Sequence, residues 1–192
     1  MAGEGTMRFP LGDAERKAYG CLFCTTGKEM VVARMLEVAS PGVRAIAARQ
    51  EKHKSVQGKK SKVEAVILPS YVFFEAPETD DLAWMPTGDV IRVLSYEGDW
   101  RLAGEDERFV DWLFQYNGLL GFSQAYREGD RIKIISGPLK DMEGSIRKID
   151  KRGHSGQVAL EFNHKVVLAW LGFDLVNPMQ GADGTETEAE QG

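Results

Sequence analysis

The sequence predicts an α+β protein of two units: an N-terminal α/β sandwich, with an antiparallel sheet flanked by helices, and a C-terminal barrel of five short strands. Three observations predict it. Up to residue 121, helical stretches alternate with apolar strand-type runs. From residue 128 to 178 only short strand-type runs remain, separated by glycine-bearing and Asn-His turns. Between them lies 122–127, a segment that reads as a linker. With 192 residues and 43% apolar composition, the chain has material for a core in each unit.

Residues 1–17 read as a flexible N-terminus without the apolar stretch of a signal peptide. No run approaches the roughly eighteen consecutive apolar residues of a membrane span, so a cytoplasmic protein with no membrane association is expected. Tyr19 to Thr25 reads as a buried strand that contains Cys21 and Cys24. On a strand, residues three apart face opposite sides, so the two sulfurs diverge and neither a metal site nor a redox pair is expected. Thr26-Gly27-Lys28-Glu29 has the spacing of a capping box and opens a helix with Val31, Met35, Leu36 and Val38 as its apolar positions. Ser40-Pro41-Gly42 ends it. Thr-Gly-Lys lacks the upstream glycine of a phosphate-binding loop, and no cofactor is expected.

Strands around 43–50 and 63–75 flank a basic connection with Lys52, Lys54, Lys59, Lys60 and Lys62. That connection reads as a solvated hairpin kept soluble by charge or as a phosphate-contacting loop. Pro69 removes a ladder donor, so the second strand is an edge or breaks there. Leu68 and Tyr71 beside the break, with Phe73 and Phe74 after it, form either an exposed partner patch or core. Asp80 to Met85 reads as a short helix, 90–96 as a strand, and 104–121 as an amphipathic helix with Phe109, Trp112, Leu113 and Tyr116.

The C-terminal strands are expected at 131–136, 143–149, 157–162, 165–171 and 173–176, with Asn163-His164 as a two-residue hairpin link. Strands this short hide their edges by closing into an SH3-like barrel. Gly137-Pro138 gives a tight exit, and Gly144 is expected to supply a positive φ or a close backbone approach. Lys133, Lys140, Arg147, Lys148, Lys151 and Arg152 cluster in this region. Residues 125–178 hold nine Lys/Arg against seven Asp/Glu, a net of +2 inside a chain of -5. The tail 179–192 carries four acids, no base and no periodicity, and is expected to be disordered.

Several of these stretches together resemble the NusG family of transcription elongation factors. "SGPLKDMEGSIRKID" resembles a KOW motif; "YGCLFCTTGKE", "LPSYVFFE" and "TGDVIRVLSYEG" precede it in the family's order, and the likeness spans about 19–176. The resemblance implies an NGN-like domain at 18–121 and a KOW domain at 128–178. It implies RNA polymerase as partner, its clamp helices held by Phe23, Leu68, Pro69 and Tyr71, with Asp81 to Met85 toward the opposite wall of the cleft. Leu139 and Met142 stand where housekeeping members carry aromatics that contact the ribosome or Rho. Met85-Pro86 stands where some members read non-template DNA.

"TTGKE", "VIRVLSYEGDW" and "EGDRIKIISGPLKDMEGSIRKIDKR" are similar to LoaP-type antiterminators. That likeness implies an RNA hairpin in the leader transcript as a second partner, contacted by Lys140, Arg147, Lys148, Lys151 and Arg152. The expectation is thus a monomeric binding protein and not an enzyme, since no His, Cys or carboxylate constellation converges. The alternatives are a housekeeping NusG and a KOW-containing translation or ribosome-associated factor. The β-branched runs "RIKIIS" and "KVVLAW" argue against a helical form of the C-terminal unit.

Overall fold

A computed structural model of the chain describes residues 17–56, 59–77 and 88–177. The expected helix at Asp80–Met85, the Met85-Pro86 position, the N-terminal segment before Lys17, the side chains of Lys59 and Lys60 and the acidic tail lie outside the described residues. The N-terminal unit consists of β1 (Lys17–Cys24), α1 (Glu29–Ala39), β2 (Arg44–Ile46), β3 (Arg49–Val56), β4 (Lys59–Val66), β5 (Tyr71–Pro77), β6 (Val90–Val93), α2 (Gly104–Gln115) and β7 (Leu119–Leu120). The C-terminal unit consists of β8 (Ser123–Glu128), β9 (Arg131–Ser136), α3 (Pro138–Asp141), a 3-10 turn at Glu143–Ser145, β10 (Ile146–Asp150), β11 (Ser155–Phe162) and β12 (Lys165–Leu175). No described helix is long and apolar enough to cross a membrane.

Four strands of the N-terminal unit form a sheet in the order β2-β5-β1-β6, with β1 and β5 antiparallel from Lys17↔Pro77 to Phe23↔Tyr71. Alternate residues of these strands enter different cores. Leu22, Cys24, Val72 and Phe74 pack on Val32, Ala33 and Leu36 of α1. Cys21 and Phe73 pack on Phe109, Val110 and Leu113 of α2. The two thiols are free and buried in different cores, as strand spacing predicts. Burial pushes the Cys21 thiol well up and the Cys24 thiol up to about 11.

The structure corrects the reading of α1. Its buried stripe is Glu29, Val32, Ala33 and Leu36, whereas Val31, Met35 and Val38 are exposed, together with Met30. The cap differs too: Lys28 is the N-cap residue, and the Thr26 hydroxyl is paired with the Ser70 hydroxyl at 2.6 Å. The strands expected at 43–50 and 63–75 are each two, β2 with β3 and β4 with β5, and the basic connection is a hairpin, the first of its two readings. Lys52, Lys54 and Lys62 sit on the β3–β4 hairpin, paired from Arg49↔Val66 to Val56↔Lys59. The chain does break at Pro69, with Ser70 at φ 71, but β5 lies inside its sheet and not at an edge.

The C-terminal sheet has the order β10-β11-β12-β8-β9. Its core holds Ala125, Ile134, Leu139, Val158, Leu160, Ala169, Leu171 and Phe173. The segment read as a linker is β8, and it pairs parallel with the end of β12 at Phe173↔Ser123. β12 is one strand where two were expected, so β8 supplies the fifth. A buried Ser123 hydroxyl accepts the Leu139 N–H at 2.9 Å, which joins β8 to α3. Gly137 has φ 84, and a Cβ there would lie 2.9 Å from Ser123 Cα. Gly144 lacks a positive φ and has open space around it, contrary to expectation; the chain turns there through the 3-10 segment, and β10 starts later. Asn163 and His164, at φ 51 and φ 57, form the two-residue hairpin turn.

Candidate partner-binding surface

Phe23 and Tyr71 face each other across β1 and β5, rings 5.4 Å apart and edge to face at 70°. The Arg92 guanidinium lies 5.7 Å from the Phe23 ring. Both rings are half-buried, Pro69 is exposed at their rim, and Leu68 is buried beneath. The turn that presents Tyr71 is held from α1: the Glu29 carboxylate accepts the N–H groups of Ser70 at 2.7 Å and Gly27 at 3.0 Å. Burial alone would raise that carboxyl, but the two N–H groups outweigh it and hold Glu29 below the usual range. A strained backbone turn and a buried charge thereby stabilise each other.

This surface is only partly open to water. Phe162, at the end of β11, sets its ring 5.6 Å from Tyr71, 4.9 Å from Phe73 and 5.7 Å from Phe109. One hydrophobic cluster therefore runs from the sheet of one unit into the core of the other. Aromatic pairs of this kind contribute about 0.5–1.5 kcal/mol each beyond area burial.

Two carboxylates flank the aromatic contact. Asp106 on α2 accepts the Asn163 N–H at 2.9 Å and the Tyr96 hydroxyl at 2.6 Å, so it holds the β11–β12 turn. Asp141 on α3 accepts the Trp112 indole N–H at 3.0 Å and the Tyr116 hydroxyl at 2.5 Å. Burial first, and then the Asp141 charge, push the Tyr116 hydroxyl up to about 12. Tyr96 is raised by burial and by Asp106 in the same way. The sequence reading treated Trp112 and Tyr116 as apolar positions and missed Phe162, Asp106 and Asp141. Two amphipathic aromatics at i, i+4 were the available signal, because a buried Trp N–H or Tyr O–H needs a partner.

The five basic residues assigned to RNA do not share one environment. Lys148 and Arg152 both act on the Asp150 carboxyl, which is lowered chiefly by the Gly153 and Arg152 N–H groups of its own turn. Lys151 donates to the Asp130 carbonyl. Lys140 is paired with Glu143 at 2.6 Å. Arg147 lines a cavity of about 530 Å³ with Glu105, Arg108 and Trp112 of α2, facing the other unit.

Comparison with known proteins finds a relative in sequence and a likeness in fold. The chain is 27% identical over 104 residues to the transcription termination/antitermination protein NusG of Thermus thermophilus, a match spanning 48% of this chain and 56% of that protein. The chain thus covers little more than half the length of that relative. No family model matches. A solved structure of domain interaction in Thermotoga maritima NusG superimposes with a TM-score of 0.52 at 20% identity, covering 82% of this chain and 94% of that one. The mixed α+β fold is similar to that of a NusG structure, and the curated relative it matches in sequence is a NusG protein.

Proposed function

We propose that this protein is a NusG-type transcription elongation and antitermination factor that binds RNA polymerase through Phe23, Leu68, Pro69 and Tyr71. The observation that carries the reading is the register-matched Phe23–Tyr71 pair beside Pro69, an apolar docking surface shielded by Phe162 of the same chain. A partner that buries the Tyr71 ring competes with Phe162 for it. At roughly 25 cal/mol per Å² of apolar surface, the clamp helices must bury more area than Phe162 does to open the two units. The action is binding, with no chemical step. The C-terminal unit, five strands around one core, supports a KOW-type domain, and its Lys148, Lys151 and Arg152 group supports a contact with the phosphates of a leader RNA of LoaP type.

The test is transcription by purified polymerase through an intrinsic terminator, with and without the leader of the neighbouring operon. Leader-dependent read-through that disappears with Tyr71→Asp is the expected result. Read-through retained in Tyr71→Asp overturns the surface assignment. Changed pausing without leader dependence overturns the LoaP-type reading in favour of a housekeeping role.

A further inference from the structure

We propose that the β3–β4 hairpin of the N-terminal unit and the β10–β11 turn of the C-terminal unit form one nucleic-acid phosphate clamp across the two units. The inference rests on the reading of the C-terminal unit as a nucleic-acid binder and extends it to the other unit. A cavity of about 210 Å³ lies between them, lined by Lys52, His53, Phe122, Gly153, His154 and Trp170 among others. It is smaller than a drug-sized ligand pocket, and it suits a phosphate or a base of a longer strand and not a whole small molecule.

The charges around it favour a polyanion. Lys52, His53, Lys54 and Lys62 on the hairpin and Arg152 on the turn are all exposed. Glu51, the acid in the lining, is matched by Lys62 at 3.5 Å. With the Gln50 amide oriented to suit its neighbours, Gln50 donates to the Trp170 carbonyl at 2.6 Å and accepts from Lys52 Nζ at 2.9 Å. An ammonium has three donors, so Lys52 is aimed at the cleft with two to spare. On the opposite side, Asp150 fixes the turn through the N–H groups of Arg152 and Gly153, which leaves the Arg152 guanidinium outside.

Aromatic faces accompany the charge. The His53 ring lies 4.4 Å from Phe122 at 37°, and Lys62 Nζ lies 4.8 Å from the same ring. Phe122 rests on Gly172 of β12, where a Cβ would come within 2.3 Å of the ring. Basic side chains beside aromatic platforms are the combination that holds a single strand by phosphate and base stacking. The place also fits a factor that must open elsewhere. β3 pairs with β7 at Gln50↔Leu120, and the chain crosses between units at Gly121 and Phe122. Points beside a crossing move least when the Phe162 end swings away.

The full-length protein is titrated into fluorescein-labelled oligouridine, an RNA hairpin and a DNA duplex of the hairpin's sequence, at a series of salt concentrations. Lys52→Glu/Lys54→Glu and the milder Lys52→Gln/Lys54→Gln are compared with Lys148→Glu/Arg152→Glu. The expected result is at least about tenfold weaker binding for the hairpin charge reversal, with the log–log salt slope reduced by about one to two. Equal sensitivity on RNA and DNA supports the clamp and identifies the shared phosphate backbone as its ligand; a loss on the RNA probes alone supports it for RNA. If both hairpin variants bind like wild type while Lys148→Glu/Arg152→Glu weakens, the cross-unit clamp is overturned and the C-terminal reading stands. If the wild type binds none of the probes, both fall.

Discussion

Phe162 meets Phe73 edge-on, ring centroids 4.9 Å apart at 86°. Val158, Leu160 and Phe162 share one face of β11, and the first two fill the C-terminal core. Phe162 is thus the last residue of a core stripe, continued past its own unit into the aromatic surface of the other. The same side chain completes one core and packs on Tyr71 of the candidate polymerase-binding site.

Phe162→Ala should therefore separate the units without dismantling either. Truncating a buried Phe typically costs about 3–5 kcal/mol, and much of this contact lies between units. We expect a larger radius of gyration in small-angle scattering and tighter polymerase binding, because Tyr71 no longer has an intramolecular competitor. An unchanged radius together with unchanged polymerase affinity would sink the competition argument.

Much of the order of elements was legible because strand alternation and turn chemistry are local signals, but the strands expected at 43–50 and 63–75 are four, β2 to β5. What failed is instructive. In α1 the larger apolar residues Val31, Met35 and Val38 masked the true stripe at i, i+3, i+4 and i+7, whose first member is Glu29. A carboxylate there is acceptable only because Ser70, distant in sequence, supplies an N–H. β8 escaped notice because its inward residues are Ser123 and Ala125, too small and too polar to give an apolar alternation. The chain break beside Tyr71 was readable from Pro69, whereas Phe23 across from it entered only through the family resemblance. The contact of Phe162 with Tyr71 was not readable, since nothing local distinguishes Phe162 from an ordinary core residue.

Alkaline pH should loosen the closed arrangement. The Tyr116 hydroxyl has an ordinary value of 10.0 and is held at about 12 in the closed form, by burial and by Asp141. Asp141 belongs to the other unit, so opening returns the hydroxyl toward its ordinary value. A pKa raised in the closed form contributes stability that is complete below about pH 10 and is lost as pH rises through about 12. Scattering across this window should show wild type expanding while far-ultraviolet dichroism is unchanged. Tyr116→Phe cannot ionise and should show a flatter response; an identical response in both excludes this hydroxyl as the cause.

The β11–β12 turn carries measurable strain. His164 holds φ 57 with an exposed, β-carbon-bearing side chain, and Asn163 precedes it at φ 51. Asn-Gly is the pairing such turns favour, and a left-handed residue other than glycine costs about 1–2 kcal/mol. His164→Gly should raise the melting temperature by a few degrees, and His164→Val should lower it. Asn163 keeps its N–H bond to Asp106 in both variants, so the unit contact serves as an internal control.

Gly20 of β1 resists replacement for a reason of space alone. It has no positive φ, yet a Cβ built there would lie 2.1 Å from the tip of the Phe74 ring. That ring is fully buried and stacked on Trp100 at 5.4 Å. Phe74 cannot retreat without displacing Trp100 or the α1 core that surrounds both. Overpacking of this kind typically costs about 1–3 kcal/mol, and the rigid ring places Gly20→Ala at the upper end. Gly20→Ala/Phe74→Leu should recover part of the loss, because the shorter side chain vacates the contested volume. Denaturant unfolding of both variants checks the pair. A single variant as stable as wild type would mean that β1 can shift away from β5, and that the sheet presenting Phe23 to Tyr71 is softer than its packing implies.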